Sequence, residues 1–137
     1  MDEGDSITQN VFSLLHSISH AFIKTAGELS GLSGNSLMEI IFVETASIFI
    51  YAQSGQGLTL GALAGMIETN YVGFLKKAFS DNRNCVFDPI CERDNTACSA
   101  CLIIPDVSCN YFNSQLGRKY IYSIEEADAP TIGFWEM

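Results

Sequence analysis

Apolar residues over the first thirty positions recur at spacings of three and four, which is the period of an amphipathic helix. Ser6 can cap this helix, with Gln9 as its capping-box partner, and Gly31 stands where helices commonly end. The apolar stripe consists of Ile7, Val11, Leu14, Ile18, Phe22, Thr25 and Leu29. A second face carries Phe12, His16, His20 and Ile23. The pattern therefore predicts a long helix from Ser6 to about Ser30 that is buried on both faces.

Two runs rich in Ile, Phe and Val follow the helix and predict a pair of strands, Glu39–Val43 and Ser47–Ala52. Their nearly continuous apolar character favours burial on both faces. Helical patterns return at 60–68 and 71–80, and we expect a short helix at 110–119 and a strand at 120–123. The apolar stretch from 37 to 52 is interrupted by Glu39 and Glu44, so it is too broken to span a membrane.

These elements indicate an α+β fold in which a long N-terminal helix packs on a small sheet, followed by further helices and a C-terminal four-cysteine zinc knuckle. The length of 137 residues fits one domain. We place this domain at 1–123, with a zinc lobe at about 85–109. Residues 124–137 form an acidic tail that holds the only tryptophan, Trp135.

The zinc lobe is predicted from its cysteines, which read CVFDPICERDNTACSAC. Four thiolates bind zinc tetrahedrally, and structural zinc sites take four protein ligands. The ligand set predicted here is Cys85, Cys91, Cys98 and Cys101. Zinc here is expected to be structural, and we expect Cys98→Ser to unfold or aggregate the lobe.

Disulfides are the alternative for a cysteine-rich segment. The first residues, MDEGDSITQN, lack the basic start and apolar core of a signal peptide, and the cysteine count of 5 is odd. Reduced thiols in a cytoplasmic protein make metal the better interpretation. The fifth cysteine, Cys109, is either a spare ligand or a buried apolar thiol, and we favour the second.

Charge argues against direct nucleic-acid binding, because such footprints are basic and the formal net charge is −9. The basic groupings that a direct binder would use are Lys76, Lys77, Arg118 and Lys119. Charged residues make up only 17% of the chain, which suggests that a partner covers part of the surface.

Catalytic patterns are weak. His16 and His20 share one helix face and form either a metal-ligand pair or, the interpretation we favour, a buried hydrogen-bonded pair joining helix to sheet. Glu39, Glu44 and Glu68 could supply carboxylates, but we expect solvent-facing side chains. The glycine-rich stretch 54–61 lacks a complete phosphate-binding motif, so a tight turn is favoured over an anion site.

The order of these motifs resembles a known family. The chain has HSISHAF on its first helix, Cys-x2-Asp-Pro-x-Cys at 85–91, and ACSACLIIPD at 97–106. Over roughly residues 11–122 it is similar to the MrfA-type zinc-binding domain at the C-termini of superfamily 2 DNA helicases. Within that family it is most like the C-terminal domain of the B subunit of the DISARM phage-defence system.

The resemblance implies a helicase-associated zinc module in DNA repair or anti-phage defence, and the family's four zinc cysteines fall on the four already named. Its partner would be a helicase or ATPase subunit, or a fused helicase domain, with DNA reached through the complex. The chain departs from the family at Gly117-Arg118, where an acidic residue usually precedes the arginine. It also has no Walker A motif, so it cannot power translocation by itself. The rival functions are a direct nucleic-acid binder and a zinc-dependent hydrolase using His16 or His20 as a further ligand.

Overall fold

The computed structural model describes residues 3–31, 36–52, 61–81, 83, 85, 87–94, 96–98, 101–105 and 108–122. The expected α+β architecture is confirmed: a long N-terminal helix, a two-stranded antiparallel sheet, further helices and a cluster of four cysteines near the C-terminus. The glycine-rich stretch from 54 to 60 and the acidic tail with Trp135 lie outside the described residues.

Helix α1 spans Glu3–Ser30, so it begins before Ser6, which lies within the helix rather than at its cap. Its middle is buried on all sides because three apolar clusters meet it: Ala21 packs near the cysteines, Ile23 beside the sheet and α2, and Ile18 against the C-terminal segment. Gly31 follows with φ of 75°, as expected at a helix end. The helix is therefore the central support of the fold.

Strands β1 (Leu37–Phe42) and β2 (Ser47–Ala52) form a hairpin in which Leu37 pairs with Ala52 and Phe42 with Ser47. Alternate residues of β1 are buried, whereas the side chain of Phe49 on β2 is 55% exposed. Burial of both faces was therefore a wrong prediction for β2, because a two-stranded hairpin packs one face on α1 and leaves the other uncovered among the described residues.

Helix α2 spans Ala62–Asp81 and packs against α1. Asn70 interrupts it with non-helical angles of φ −148° and ψ 44°. Asn70 thus separates two helical stretches, at the position between the two predicted patterns. A Cβ at Gly73 would lie 2.2 Å from the Asn70 side-chain oxygen, so glycine leaves room for that side chain.

The C-terminal segment differs most from prediction. Helix α3 covers Pro89–Asp94, and a 3₁₀ turn covers Arg118–Tyr120. The predicted helix at 110–119 is absent from these described residues, because Phe112, Asn113 and Gln115 have positive φ. Asn113 instead bonds both backbone groups of Ile104, at 3.0 and 2.8 Å, which competes with a helical arrangement. The predicted strand at 120–123 is also wrong over its described part, since the amides of residues 121 and 122 bond back to the Arg118 carbonyl.

Candidate metal centres

The four cysteines of the predicted ligand set lie together, and we call them the cysteine cluster. The Cys85 and Cys98 sulfurs are 3.5 Å apart, those of Cys91 and Cys101 3.6 Å, and those of Cys98 and Cys101 3.7 Å. Sulfurs bound to one zinc at about 2.3 Å lie about 3.8 Å apart at tetrahedral angles. The cluster therefore forms a possible metal-binding site with nearly the dimensions that a tetrahedral ion requires.

Local backbone structure aims these sulfurs inward. Asp88 accepts hydrogen bonds from the amides of Ile90 and Cys91 at 2.9 and 3.2 Å, and proline occupies the first position of α3. This start fixes the orientation of Cys91. At the other end, a turn brings the Cys101 amide to the Cys98 carbonyl at 3.0 Å, and the Cys98 amide donates to the Cys101 sulfur at 3.1 Å.

Two cations stand near the cysteine cluster. The fully buried Arg118 guanidinium donates to the carbonyl and, at 3.5 Å, to the sulfur of Cys91. Burial lowers the pKa of Lys24, while the charges of Cys101 and Cys98 act in the opposite direction. Zinc with four thiolates carries a net charge of −2, so two nearby positive side chains suit an occupied site.

Burial raises the pKa of the Cys101 thiol to about 12, so this sulfur needs a cation before it ionises.

A second group of ligand-type side chains lies in the core, and we call His16, His20, Glu39 and Cys109 the histidine cluster. All four are buried, and the first three have no exposed surface. The Glu39 Oε1 atom lies 3.0 Å from His16 Nε2, 2.9 Å from His20 Nε2 and 3.2 Å from the Cys109 sulfur. The sulfur is also 3.2 Å from His16 Nε2. Four potential metal-ligand atoms thus lie close together around Glu39 Oε1.

The surroundings of the histidine cluster fix the orientation of each member. His16 Nδ1 lies 2.7 Å from the Ser114 carbonyl, and His20 Nδ1 lies 2.6 Å from the Leu102 carbonyl. Ser19 donates its hydroxyl proton to Glu39 Oε2. Burial raises the pKa of Glu39, whereas hydrogen bonds from protonated Nε2 atoms of His16 and His20 would lower it to about 2. Burial raises the pKa of Cys109 to about 11.

The predicted histidine and glutamate residues occupy different environments in the structure. Both histidines are buried and contact Glu39 on β1, so they join helix to sheet as the favoured interpretation expected. Glu39 was expected to face solvent and does not, because its position in β1 alternates with the buried Leu37 and Ile41. Glu44 and Glu68 are exposed, as expected.

Cys109 is buried within an apolar core cluster, as favoured, and its sulfur also contacts a carboxylate and an imidazole. It belongs to the histidine cluster and not to the cysteine cluster. The hydrolase hypothesis used His16 or His20 as an additional zinc ligand, in a site with three protein ligands and one open position. The structure groups both histidines with Glu39 and Cys109, and not with the four cysteines.

The basic residues of the nucleic-acid hypothesis do not form one free cationic face. Arg118 is fully buried beside the cysteine cluster. Lys77 pairs with Glu28 and Asp81 at 3.1 and 2.5 Å, whereas Lys76 and Lys119 are exposed. Two of the four residues therefore have roles within the protein.

Comparisons with protein-family models, with curated proteins and with solved structures found no match. Within the described part of the chain, no helix combines the length and apolar character needed to cross a membrane. The chemistry of the two clusters is therefore the main guide to function.

Proposed function

We propose that this chain is a non-enzymatic zinc-binding accessory module that docks onto a DNA helicase-type complex in anti-phage defence or DNA repair. The observation that carries the zinc part is the set of sulfur–sulfur distances of 3.5–3.7 Å in the cysteine cluster. The helicase part rests on the resemblance of the cysteine and histidine motifs to the MrfA-type domain.

Zinc at the cysteine cluster would be structural because four sulfurs complete its tetrahedron. Catalytic zinc usually keeps one position for water or substrate, with three protein ligands. Here Cys85, Cys91 and Cys101 are 3–5% exposed, which also limits access. The ion would hold α3 to the segment that follows it, and its binding energy would contribute directly to folding.

Docking to a protein is favoured over direct DNA binding by charge and by the exposed surface. The formal net charge is −9, and Arg118 is buried. Two large apolar side chains stand exposed at the start of α3: Phe87 is 77% exposed and Ile90 is 63% exposed. Exposed aromatic and aliphatic side chains on a metal-braced lobe suit a partner contact.

A binding experiment tests the helicase part. The purified chain would be mixed with superfamily 2 helicases from its host and examined by size-exclusion chromatography and calorimetry. We expect one helicase to bind, and Phe87→Ser with Ile90→Ser to weaken binding at least about tenfold. Glu44→Ala, which changes an exposed residue of the hairpin, is the control and should bind normally.

The direct nucleic-acid hypothesis gives a different result. If the isolated chain bound DNA with an affinity that fell steeply with salt, and Lys76→Ala with Lys119→Ala removed that binding, the docking proposal would be replaced. Binding to a helicase with little salt dependence and without DNA would support the docking proposal.

A further inference from the structure

We propose that His16, His20, Glu39 and Cys109 bind a second divalent metal ion, zinc by preference, in a closed site separate from the cysteine cluster. The nitrogen, oxygen and sulfur atoms of this set are all established zinc ligands. The site would use both imidazole Nε2 atoms, Oε1 of the carboxylate and the sulfur, which all lie within 4.8 Å of one another.

The placement of protons supports an ion at this point. A backbone carbonyl oxygen only accepts hydrogen bonds, so the Nδ1 atoms facing Ser114 and Leu102 must each carry the proton. In a neutral imidazole Nε2 then bears a lone pair. Both Nε2 lone pairs point at Glu39 Oε1, which is itself an acceptor, at 3.0 and 2.9 Å. A metal cation among these atoms satisfies all of them at once, whereas a proton-only network must hold at least one additional proton, on an imidazole or on the carboxyl group, where His16, His20 and Glu39 have no exposed surface.

The distances require only a small adjustment. Ligand atoms about 2.0–2.3 Å from a tetrahedral ion lie about 3.3–3.6 Å apart when they are nitrogen, oxygen or one sulfur. Four of the six corresponding separations in the histidine cluster are 2.9–3.2 Å, and all six lie within 4.8 Å. Side-chain rotations that lengthen the four short separations by a few tenths of an ångström would bring them to the distances found around a tetrahedral ion.

A second shell of hydrogen bonds already orients the ligands. Each imidazole has its Nδ1–H on a carbonyl, the usual arrangement for metal-bound histidine. Ser19 bonds to Glu39 Oε2, which directs Oε1 towards the centre. The backbone amide of Asn113 donates to the Cys109 sulfur at 3.2 Å and is placed to stabilise a thiolate. Four protein ligands leave no position for substrate, so the ion would be structural.

The second ion would fasten three parts of the fold. His16 and His20 lie on α1, Glu39 on β1, and Cys109 in the segment beyond the cysteine cluster. The Leu102 carbonyl bonded by His20 directly follows Cys101, so the two sites share a short stretch of backbone. The second ion would therefore hold the zinc lobe against α1.

Zinc K-edge X-ray absorption with elemental analysis tests this proposal. Protein would be saturated with zinc and dialysed against metal-free buffer. The wild type should hold two zinc ions, with an average shell of about two and a half sulfurs and one and a half nitrogen or oxygen atoms per ion. Cys109→Ser and Glu39→Gln should reduce the count to one and leave a shell of sulfur alone.

Glu44→Gln, which alters an exposed carboxylate on the hairpin, is the control and should keep two ions. One zinc with a purely sulfur shell in the wild type would overturn the second site and leave the cysteine cluster intact. Two ions retained in Cys109→Ser and Glu39→Gln would overturn it as well. If both variants fail to fold, the wild-type spectrum alone decides, because nitrogen or oxygen scatterers cannot come from four cysteines.

Discussion

The cysteine cluster and the histidine cluster are built in opposite ways. The cysteines all fall between positions 85 and 101, and short turns and α3 bring their sulfurs together. The histidine cluster joins positions 16, 20, 39 and 109, so only the complete packing of α1, β1 and the C-terminal segment assembles it. The cysteine cluster is a local feature of a segment with few regular elements, whereas the histidine cluster joins distant parts of the core.

Because of this difference, substitutions in the two clusters should affect the stability of the protein in different ways. Loss of the cysteine cluster should open the zinc lobe, because α3 has only six residues and cannot be stable alone. Loss of a member of the histidine cluster should lower the stability of the whole domain, because it leaves buried polar groups without partners between helix and sheet. The following substitutions separate these effects.

Breaking the cysteine cluster should have the largest effect. Cys98→Ser removes one of the four proposed zinc ligands, and zinc binding supplies much of the folding energy of structural zinc lobes. We expect the lobe to unfold, with trypsin cutting rapidly after Arg93, which stands in α3. Glu44→Gln, an exposed change on the hairpin, is the control and should be cleaved at the wild-type rate. A folded, metal-free and protease-resistant Cys98→Ser protein would contradict the structural role of the metal.

Breaking the histidine cluster through Glu39→Ala should lower the free energy of unfolding by about 3 kcal/mol. The carboxylate is fully buried and bonded to both imidazoles and to Ser19, so its removal leaves several polar groups unsatisfied. Urea unfolding followed by circular dichroism measures this. The matched change Glu44→Ala, on the same hairpin but exposed, should stay within about 0.5 kcal/mol of wild type. Equal stability of the two variants would contradict the role of Glu39.

Replacing Arg118, which lies beside the cysteine cluster, tests whether its side chain supports metal binding there. Arg118→Met eliminates the buried cation that donates to Cys91 and, at 2.8 Å, to the Arg83 carbonyl. Second-shell changes of this kind typically weaken metal affinity about 10- to 100-fold. Competition with a coloured zinc chelator measures the loss. Lys119→Met is the adjacent, exposed control, and an equal affinity in both variants would show that Arg118 does not support the site.

The smallest effect is expected at Tyr122, which belongs to neither cluster. The buried Tyr122 hydroxyl donates to the Phe79 carbonyl, so Tyr122→Phe should cost about 1 kcal/mol near neutral pH. Burial raises the pKa of Tyr122, so the neutral phenol stabilises the fold fully below its ordinary value of about 10 and progressively less above it. The difference between wild type and variant should therefore shrink above pH 10 in urea titrations. Tyr71→Phe, an exposed change, is the control and should leave the free energy of unfolding near the wild-type value at neutral pH.

The predictability of the two clusters follows from their construction. Cysteine spacing is a local signal, so the four sulfurs could be predicted from the chain alone. The histidine pair was visible as a shared helix face, but Glu39 was not recognised as its partner. The available signal was its alternation with Leu37 and Ile41, which placed it on the inner face of β1. Cys109 gave no such signal, because only tertiary packing brings it to the pair.

The segment from 108 to 122 was the least predictable part of the described fold. Its helix and strand were expected from local pattern, but side-chain bonds control the backbone there. Asn113 binds Ile104, and Asn110 donates to the Glu39 carbonyl at 2.7 Å. Such contacts depend on elements far away in sequence and override local propensity. The long helix α1, by contrast, followed directly from its apolar period.

The most direct test of the metal-braced lobe is elemental mass spectrometry of the purified protein, combined with a thiol count under denaturing, non-reducing conditions. The account predicts at least one zinc per chain, bound at the cysteine cluster, and all 5 cysteines reactive after denaturation with a chelator. The absence of metal together with about one reactive thiol would mean that the four cysteines form disulfides. That result would contradict the zinc-binding module at the centre of this account.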